Sequence, residues 1–299
     1  MDYAQLTPGR QFAPIRSLLY YSQRLVTPPA LRRRVADAVG ALVRWRQGRG
    51  AYHASAPMRV LLELGHCGYV PLGRLLDNRQ CDDITAFLRD KLLFDRDHER
   101  PAFVAAEAPL GVRVADYHLR DIVACPHILA LANSKLLLGL AAAYLRCQPT
   151  ISALGLRWSF PVCEGESVLQ SFHRDSEDWR YLKVLVYLTD VDDSAGPHVY
   201  VHGSHLTQAP LRLRFYSDAE ITEAHRPEHL LTATGARGFC FAVDTAGIHK
   251  GAAPLCQPRL MLQIQYSLLP CYAYRYEPQA YAGPMTLDPY VNRLILRQS

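Results

Sequence analysis

The stretch Ser171-Phe172-His173-Arg174-Asp175 decides how the rest of the chain is organised. Successive side chains of a β-strand point to opposite faces, so His173 and Asp175 would project from one face and could bind one metal ion together. His249 is the best third ligand, because it follows the apolar run 239–243 where a strand would break into a Gly-containing turn. Two histidines and one carboxylate leave coordination positions open, which is the ligand arrangement of non-haem Fe(II) oxygenases.

The composition favours one compact catalytic unit. The chain has 299 residues, of which 49% are hydrophobic, so it can bury a full-sized core. One large β domain with a helical flank is the expected organisation. The formal net charge of +5 weakly favours an anionic substrate or surface, and it gives no reason to expect nucleic acid as a partner.

The cysteine pattern and the N-terminus favour a soluble cytoplasmic protein. The cysteines form no CxxC pair, so we expect reduced and mostly buried thiols. They are Cys67, Cys81, Cys125, Cys147, Cys163, Cys240, Cys256 and Cys271. The first residues lack the basic and apolar regions of a signal peptide, and no run reaches the roughly 18 apolar residues of a membrane-spanning helix.

Residues 29–46 predict an amphipathic, Arg-rich helix. Its apolar stripe would consist of Leu31, Val35, Ala38, Leu42 and Trp45. The favoured interpretation is a helix packed on the catalytic domain, and the alternative is peripheral docking to an anionic membrane surface or a phosphorylated carrier. Residues 48–57 read as a linker. The expected division is therefore a basic helical extension over residues 1–55 and a catalytic domain over residues 56–299.

Two further segments predict supporting helices. Asn78 to Leu93 carries an apolar stripe between charged residues, and His127 to Leu145 is apolar nearly all round, which predicts a buried helix. The long polar piece from Leu206 to Leu231 interrupts the strand-rich half, and loops of that length are often lids or binding loops.

After Pro149 the sequence changes to short β-rich runs separated by Asp, Gly and Pro turns. This pattern predicts an antiparallel barrel or jelly roll. The candidate strands cover residues 154–160, 167–173, 182–188, 198–202, 238–243 and 260–268.

The order of these features resembles the phytanoyl-CoA dioxygenase (PhyH-like) family of Fe(II)/2-oxoglutarate-dependent oxygenases, over roughly residues 60–270. The resemblance implies a double-stranded β-helix, a cupin-like jelly roll in an α+β, mainly β, protein with N-terminal and flanking helices. It also implies that His173, Asp175 and His249 bind iron and that Arg259 holds the far carboxylate of 2-oxoglutarate. Arg suits that role because its planar fork matches a carboxylate.

The sequence departs from the family pattern at one position and keeps to it at another. Family members often carry Ser or Thr two positions after the distal His, where this chain has Gly251, so the second contact of the co-substrate is unassigned. Members that halogenate replace the carboxylate ligand with a small residue. Asp175 is retained, which favours hydroxylation or another oxidation.

Several other residues are weaker candidates for the pocket. Four strand residues near the ligand pair are equally compatible with packing or with contact: Gln170, Trp158, Lys183 and Tyr187. His198, His202 and His205 look like a metal cluster, but a surface turn is the favoured interpretation. Rim candidates are the loop 176–181 and four residues of the long loop: Arg212, Arg214, Phe215 and Tyr216.

The expected activity is hydroxylation of an unactivated C–H bond, with consumption of 2-oxoglutarate and O2 and release of succinate and CO2. Epimerisation, desaturation or cyclisation by the same cofactors stays open, as does a non-catalytic jelly-roll binding module. The substrate would be a small or carrier-linked biosynthetic intermediate, with a weak preference for an anionic one. The sequence does not indicate the oligomeric state.

Overall fold

A computed structural model of the chain describes residues 2–9, 12–48, 57–161 and 170–297. The helices are α1 (Pro14–Leu25), α2 (Pro29–Gln47), α3 (Met58–Cys67), α4 (Asn78–Leu88), α5 (Leu119–Ala124), α6 (Ile128–Ala132), α7 (Lys135–Leu145), α8 (Asp218–Ala224) and α9 (Pro289–Asn292). The strands are β1 (Asp2–Tyr3), β2 (Tyr69–Arg74), β3 (Leu93–Asp95), β4 (Val114–Tyr117), β5 (Thr150–Ser159), β6 (Tyr181–Tyr187), β7 (His198–Val201), β8 (Leu230–Ala233), β9 (Phe239–Val243), β10 (His249–Gly251), β11 (Arg259–Ser267), β12 (Tyr274–Arg275), β13 (Gln279–Ala280) and β14 (Leu296–Arg297).

Two antiparallel sheets form the centre of the molecule. The larger has seven strands in the order β2-β9-β6-β11-β5-β4-β3, and the smaller has three in the order β10-β7-β8. Strand β6 is buried at every position because both its faces are covered. Its Leu182 and Val184 pack towards the helices, whereas Leu185 and Tyr187 pack with Tyr200 of the small sheet. The prediction of a cupin-like jelly roll with flanking helices is confirmed, although within the described ranges the two sheets do not join into a continuous barrel.

The predicted strands of the β-rich half are mostly found, with boundaries shifted by a few residues. The exception is the strand predicted over residues 167–173, of which 167–169 lie outside the described residues. Phe172 and His173 form isolated bridges to Tyr216 and His249 instead of belonging to a strand. His173 is therefore positioned by its bridge to His249, not by a long ladder.

The predicted helix from His127 to Leu145 is wrong as a single helix. It is two helices, α6 and α7, because the Ser134 side chain accepts a hydrogen bond from the Leu137 N–H and starts a new helix. The predicted burial holds for most of both helices. The helix predicted from Asn78 begins as expected, with a capping box at Asp77, but it ends at Leu88.

The predicted apolar stripe of α2 does not face the protein. Leu31 and Leu42 are exposed, and Trp45 is 77% exposed. The buried face instead contains Arg32 and Ala36, with Gly40 and Val43 further along. The prediction failed because a buried guanidinium replaced the expected apolar contacts.

Arg32 connects the N-terminal helices to the loop after the predicted metal ligands. It donates to the Asp178 carbonyl at 3.0 Å and to the carbonyl of Gln23 in α1. Arg24 of α1 also donates to the Ser176 carbonyl at 2.9 Å. Residues 49–56, most of the predicted linker, lie outside the described residues. The division at residue 55 stays a prediction.

The burial of the cysteines and of one long apolar segment can be compared with the prediction of a cytoplasmic protein. Of the seven cysteines that the structure describes, five are buried, as predicted. The segment Ile128–Leu145 is long and apolar enough to span a membrane by composition, contrary to expectation, but 61% of it is buried inside the molecule. It has the character of a core segment, and a cytoplasmic location stays a prediction.

Candidate active site

Three predicted metal ligands meet at one end of the two facing sheets. His173 and His249 exchange backbone hydrogen bonds, with N–O distances of 2.9 and 3.0 Å, and this pairing brings two distant segments together. Arg174 points the other way and donates to the carbonyls of Ser204 and Ala246. The side chains of the His-x-Asp stretch thus alternate between two faces, as predicted. The hydrogen bonds of Arg174 hold the backbone of this stretch on the face opposite the two ligands.

The ligand atoms of this triad are spaced for one ion. One donor atom each from His173, Asp175 and His249 all lie within 4.8 Å of one another. The Nε2 atoms of the two histidines are each 3.5 Å from an oxygen of Asp175. Two imidazoles and one carboxylate form a donor set that suits Fe(II) and leaves coordination positions open.

Both histidines are held in the orientation that metal binding requires. The Nδ1 atom of His173 lies 2.8 Å from the Ser171 carbonyl oxygen, and that of His249 lies 3.0 Å from the Gly247 carbonyl oxygen. A carbonyl only accepts, so each Nδ1 carries the proton and donates it. The Nε2 lone pair of each ring therefore points towards the cluster and is free to bind a metal ion. Histidine ligands of metal sites are commonly oriented in this way, by a hydrogen bond from the other ring nitrogen to a backbone carbonyl. The residues therefore fit an iron ion.

The carboxylate of Asp175 is kept ionised by its surroundings. Burial raises its pKa, but the Lys183 ammonium beside it outweighs burial and holds the pKa well below its ordinary value. Burial also lowers the pKa of His249 to about 3. An ionised carboxylate and a neutral imidazole are the forms that bind a metal ion.

Arg259 is buried at the start of β11, opposite Ser159 of β5. Its Nη2 donates to the Ser159 hydroxyl at 3.2 Å, whereas Nε and Nη1 are buried without a hydrogen-bond partner among the described residues. Unpaired guanidinium donors in a cavity favour a carboxylate ligand. Met261 and Gln263, at alternate positions of the same strand, line the same cavity.

A cavity of about 100 Å³ contains the triad and Arg259. Its apolar wall includes Val114, Leu185 and Met261, and its other polar members include Gln170 and Ser159. The charged side chains that line the cavity are four cations and two carboxylates. These charged residues are Arg96, Arg157, Lys183, Arg259, Asp175 and Glu177.

The other strand candidates divide into lining and packing residues. Gln170 and Lys183 line the cavity. Trp158 instead donates from Nε1 to the Tyr117 hydroxyl, and Tyr187 donates to the Ala233 carbonyl. Lys183 has a further role, because its Nζ lies 2.6 Å from an oxygen of Asp175.

The three clustered histidines are separated by the fold. The His202 ring contacts His66 edge to face and stacks near His229, and His205 lies beside the Gly65 carbonyl, so the predicted turn role suits both. His198 does not fit that interpretation, because it is buried in the cavity wall with its ring centroid 5.4 Å from that of His249.

Only part of the predicted rim faces the cavity. Glu177 lines it, whereas Asp178 is fully buried and accepts from the Trp179 and Leu269 amides. Phe215 is a rim residue, half-exposed with its ring centroid 6.0 Å from that of His173.

Three of the remaining rim candidates make contacts within their own loop. Arg214 forms an ion pair with Glu220 and lies over the Tyr216 ring, and the Tyr216 hydroxyl donates to the Arg212 carbonyl. The long loop is thus partly structured by its own side chains. Phe215 is the member of this group that reaches the triad.

Sequence reasoning missed several residues of the cavity. Ser159, Arg96 and Arg157 lie in segments without a motif, and only the pairing of the strands brings them to the site. His198 was visible as one of three nearby histidines. No local signal distinguishes it from the other two, because its position in the cavity wall depends on the pairing of β7 with β10.

The known proteins most informative for this chain are solved structures of similar fold. HygX from Streptomyces hygroscopicus, with nickel, 2-oxoglutarate and hygromycin B bound, is 17% identical over 79% of this chain and 96% of its own, with a TM-score of 0.53. The epimerase SnoN from nogalamycin biosynthesis is 19% identical over 78% and 96%, with a TM-score of 0.52. EctD from S. alaskensis, with bound Fe, is 17% identical over 81% and 88%, with a TM-score of 0.50. Among curated proteins the sequence finds no significant match.

The fold and the donor set define a non-haem iron oxygenase that depends on 2-oxoglutarate. Residues 66–253 match the sequence profile described as phytanoyl-CoA dioxygenase (PhyH). The chain belongs to the phytanoyl-CoA dioxygenase family.

Proposed function

We propose that His173, Asp175 and His249 bind the iron, that Arg259 binds the far carboxylate of 2-oxoglutarate, and that the enzyme hydroxylates an unactivated C–H bond of a small or carrier-linked intermediate. The observation that carries this proposal is the cluster of three ligand atoms within 4.8 Å, with both histidine Nδ1 atoms at backbone carbonyls. When bound, the iron and co-substrate supply a reaction in which 2-oxoglutarate, O2 and R–H give succinate, CO2 and R–OH.

The chain's own residues orient the reactants and exclude water. Arg259 offers two unpaired donors to one carboxylate, which sets the direction in which the co-substrate enters the cavity. Lys183 compensates the charges of Asp175 and Glu177, so the two carboxylates can stay ionised side by side. The apolar wall containing Leu185 limits water near the triad.

The test of this function does not require the substrate. The purified protein is supplied with Fe(II), 2-oxoglutarate and isotopically labelled O2, and the succinate is analysed by mass spectrometry. We expect succinate that carries one labelled oxygen, and none from His173→Ala. A wild-type protein that folds but forms no labelled succinate would favour the binding-module interpretation.

Hydroxylation is one of several outcomes of this chemistry. The structural neighbour SnoN is described as an epimerase, so the shared fold does not separate the reactions. The retained Asp175 favours oxidation without halide. Once a substrate is found, a product heavier by one oxygen supports hydroxylation, an unchanged mass indicates epimerisation, and loss of two hydrogens indicates desaturation or ring closure.

The cavity walls support an anionic substrate. Arg96 and Arg157 both line the cavity and share one carboxylate, Asp116, at 2.7 Å. These two guanidinium groups and one carboxylate leave an excess positive charge on this part of the cavity wall. A carboxylate or phosphate of the substrate would complement that excess. A substrate whose turnover is unaffected by Arg96→Gln would contradict this assignment.

We also propose that α1 and α2 contact an anionic membrane surface. Helix α1 turns its polar residues Ser17 and Gln23 inwards, whereas its apolar residues face outwards, with Leu18 72% exposed. Helix α2 exposes Trp45 in the same way, and its exposed arginines include Arg34. Outward apolar side chains interspersed with arginines are complementary to anionic lipids.

Vesicle sedimentation tests this contact. We expect binding to vesicles that contain phosphatidylglycerol, weaker binding to phosphatidylcholine alone, and loss of binding in Leu18→Glu and Trp45→Glu. Leu110→Glu is the matched control, because Leu110 is 98% exposed on a different segment. Self-association without vesicle binding would instead assign the surface to a second copy of the chain.

A further inference from the structure

We propose that His198 makes the second contact to the far carboxylate of 2-oxoglutarate, in place of the hydroxyl that the family often carries at the position of Gly251. This inference rests on the proposed function, in which Arg259 makes the first contact. It assigns a role to a histidine that sequence reasoning placed in a surface turn.

The strand register places His198 beside the missing side chain. Strands β7 and β10 are antiparallel, with Gly251 opposite His198 and His249 opposite Tyr200. Directly opposed residues project from the same face of a ladder, so the His198 ring stands next to the space that a Ser or Thr at Gly251 would fill. The same face carries the metal ligand His249.

The same space adjoins Arg259. A β-carbon built on Gly251 would lie 3.1 Å from the Nη2 atom of Arg259. A hydroxyl at this position would therefore approach a ligand held by the guanidinium. Because Gly251 carries no hydroxyl, the residue across the ladder is best placed to supply a replacement donor.

The chemistry of His198 suits that role. The ring is only 4% exposed, it lines the cavity, and its Nε2 has no hydrogen-bond partner within the described ranges. A neutral imidazole ring carries one N–H, so His198 can donate one hydrogen bond through a ring nitrogen. A buried polar atom without a protein partner is unusual in a folded protein, and a bound carboxylate or an ordered water would satisfy it.

One carboxylate would satisfy all the unpaired donors of this wall. Arg259 offers Nε and Nη1, and His198 offers Nε2. The Nη2 atom of Arg259 is already directed to Ser159. A carboxylate accepts about four hydrogen bonds, so three donors from two side chains are within its capacity.

The test measures affinity under anaerobic conditions. Wild type and variants are loaded with Fe(II) and titrated with 2-oxoglutarate, and Kd is read from the visible charge-transfer band. We expect His198→Phe to raise Kd about tenfold or more, with iron content unchanged. His198→Gln retains an N–H donor and should stay within about threefold of wild type.

A second ligand separates a carboxylate contact from a general structural effect. 2-Oxopentanoate has the same chelating end but lacks the far carboxylate. His198→Phe should leave its Kd unchanged, because the lost contact is absent from that ligand. Equal weakening of both ligands would contradict the inference.

The double variant His198→Phe with Gly251→Ser tests most directly whether the two positions bind the same carboxylate. If the two positions serve one carboxylate, the new hydroxyl should recover most of the lost affinity for 2-oxoglutarate. His202→Phe is the control, since that ring lies outside the cavity. His198→Met, of similar volume and without an N–H, gives the same comparison if the Phe variant does not fold.

The outcomes distinguish this inference from the proposed function. A wild-type protein with no charge-transfer band removes the proposed function itself. A wild-type band together with unchanged 2-oxoglutarate affinity in His198→Phe and His198→Met removes His198 alone and leaves Arg259 in place.

Discussion

The Nζ atom of Lys183 lies 2.6 Å from Oδ2 of Asp175, so a buried cation is paired with a proposed metal ligand. The same Nζ is 3.0 Å from the Glu177 carboxylate. Lys183 is 6% exposed, and its pKa is raised because Asp175 and Glu177 outweigh burial. One lysine thus holds two carboxylates in the cavity before any metal binds.

Replacement of Lys183 by Met should destabilise the metal-free protein. Two buried carboxylates would lose their cation, and breaking a buried ion pair from one side costs about 3–5 kcal/mol. Fe(II) should reduce the loss, because the metal supplies positive charge to Asp175. Urea unfolding with and without Fe(II) measures both effects. The control is Lys135→Met at an exposed position, and a metal-free Lys183 variant as stable as wild type would contradict the assignment.

Asp116 should contribute to stability against acid. Burial raises its pKa, but Arg157 and Arg96 outweigh burial and lower the pKa to about 2. Because the folded-state pKa lies below the unfolded one, the contribution is present above about pH 4 and is lost as pH falls towards 2, and it amounts to roughly 2 kcal/mol.

Asp116→Asn tests this contribution through the pH dependence of unfolding. The variant should be less stable than wild type at pH 7, and the difference should shrink between about pH 4 and pH 2. Asp193→Asn, at an exposed turn position, is the control. A difference that stays constant over this pH range would show that Asp116 acts through packing alone.

His173→Ala and Arg259→Ala should separate iron binding from co-substrate binding. The first removes a ligand from the triad and should abolish stoichiometric iron. The second leaves the triad intact, so iron content should stay at the wild-type level while Kd for 2-oxoglutarate rises about tenfold or more. Metal analysis and anaerobic titration measure the two quantities, with the exposed Arg34→Ala as control. Unchanged co-substrate affinity in the Arg259 variant would remove that residue from its role.

Arg32→Met should destabilise the fold, whereas Arg34→Met should not. Arg32 is buried and donates to backbone carbonyls of Gln23 and Asp178, and an unsatisfied carbonyl costs about 1–3 kcal/mol. Arg34 is exposed on the same helix. Thermal unfolding compares the melting temperatures of the two variants. Equal melting temperatures would show that the N-terminal helices contribute little to the stability of the core.

The sequence was most informative where chemistry is local. The spacing of His173 and Asp175, and the turn before His249, identified a cluster that the structure brings together. Their local backbone acceptors, the carbonyls of Ser171 and Gly247, lie two residues away and follow from the same segments. Short-range geometry of this kind depends little on the rest of the fold.

The sequence was least informative where long-range contacts decide. The apolar stripe that contains Trp45 has the helical period expected of a buried face, but it is exposed. The opposite face is buried instead, because Arg32 donates hydrogen bonds to the carbonyls of Gln23 and Asp178. His198 has no local sign of its role, because its register with Gly251 depends on the pairing of two strands far apart in sequence. The break before α7 was readable from Ser134, a preferred capping residue.

The central claim is that His173, Asp175 and His249 bind iron in a form that 2-oxoglutarate can chelate. The most direct measurement is the visible spectrum of the protein under anaerobic conditions as Fe(II) and then 2-oxoglutarate are added. We expect a weak charge-transfer band that appears only after the second addition and is absent in His173→Ala. A folded wild-type protein that shows no band, or a band that persists unchanged in His173→Ala, would contradict it.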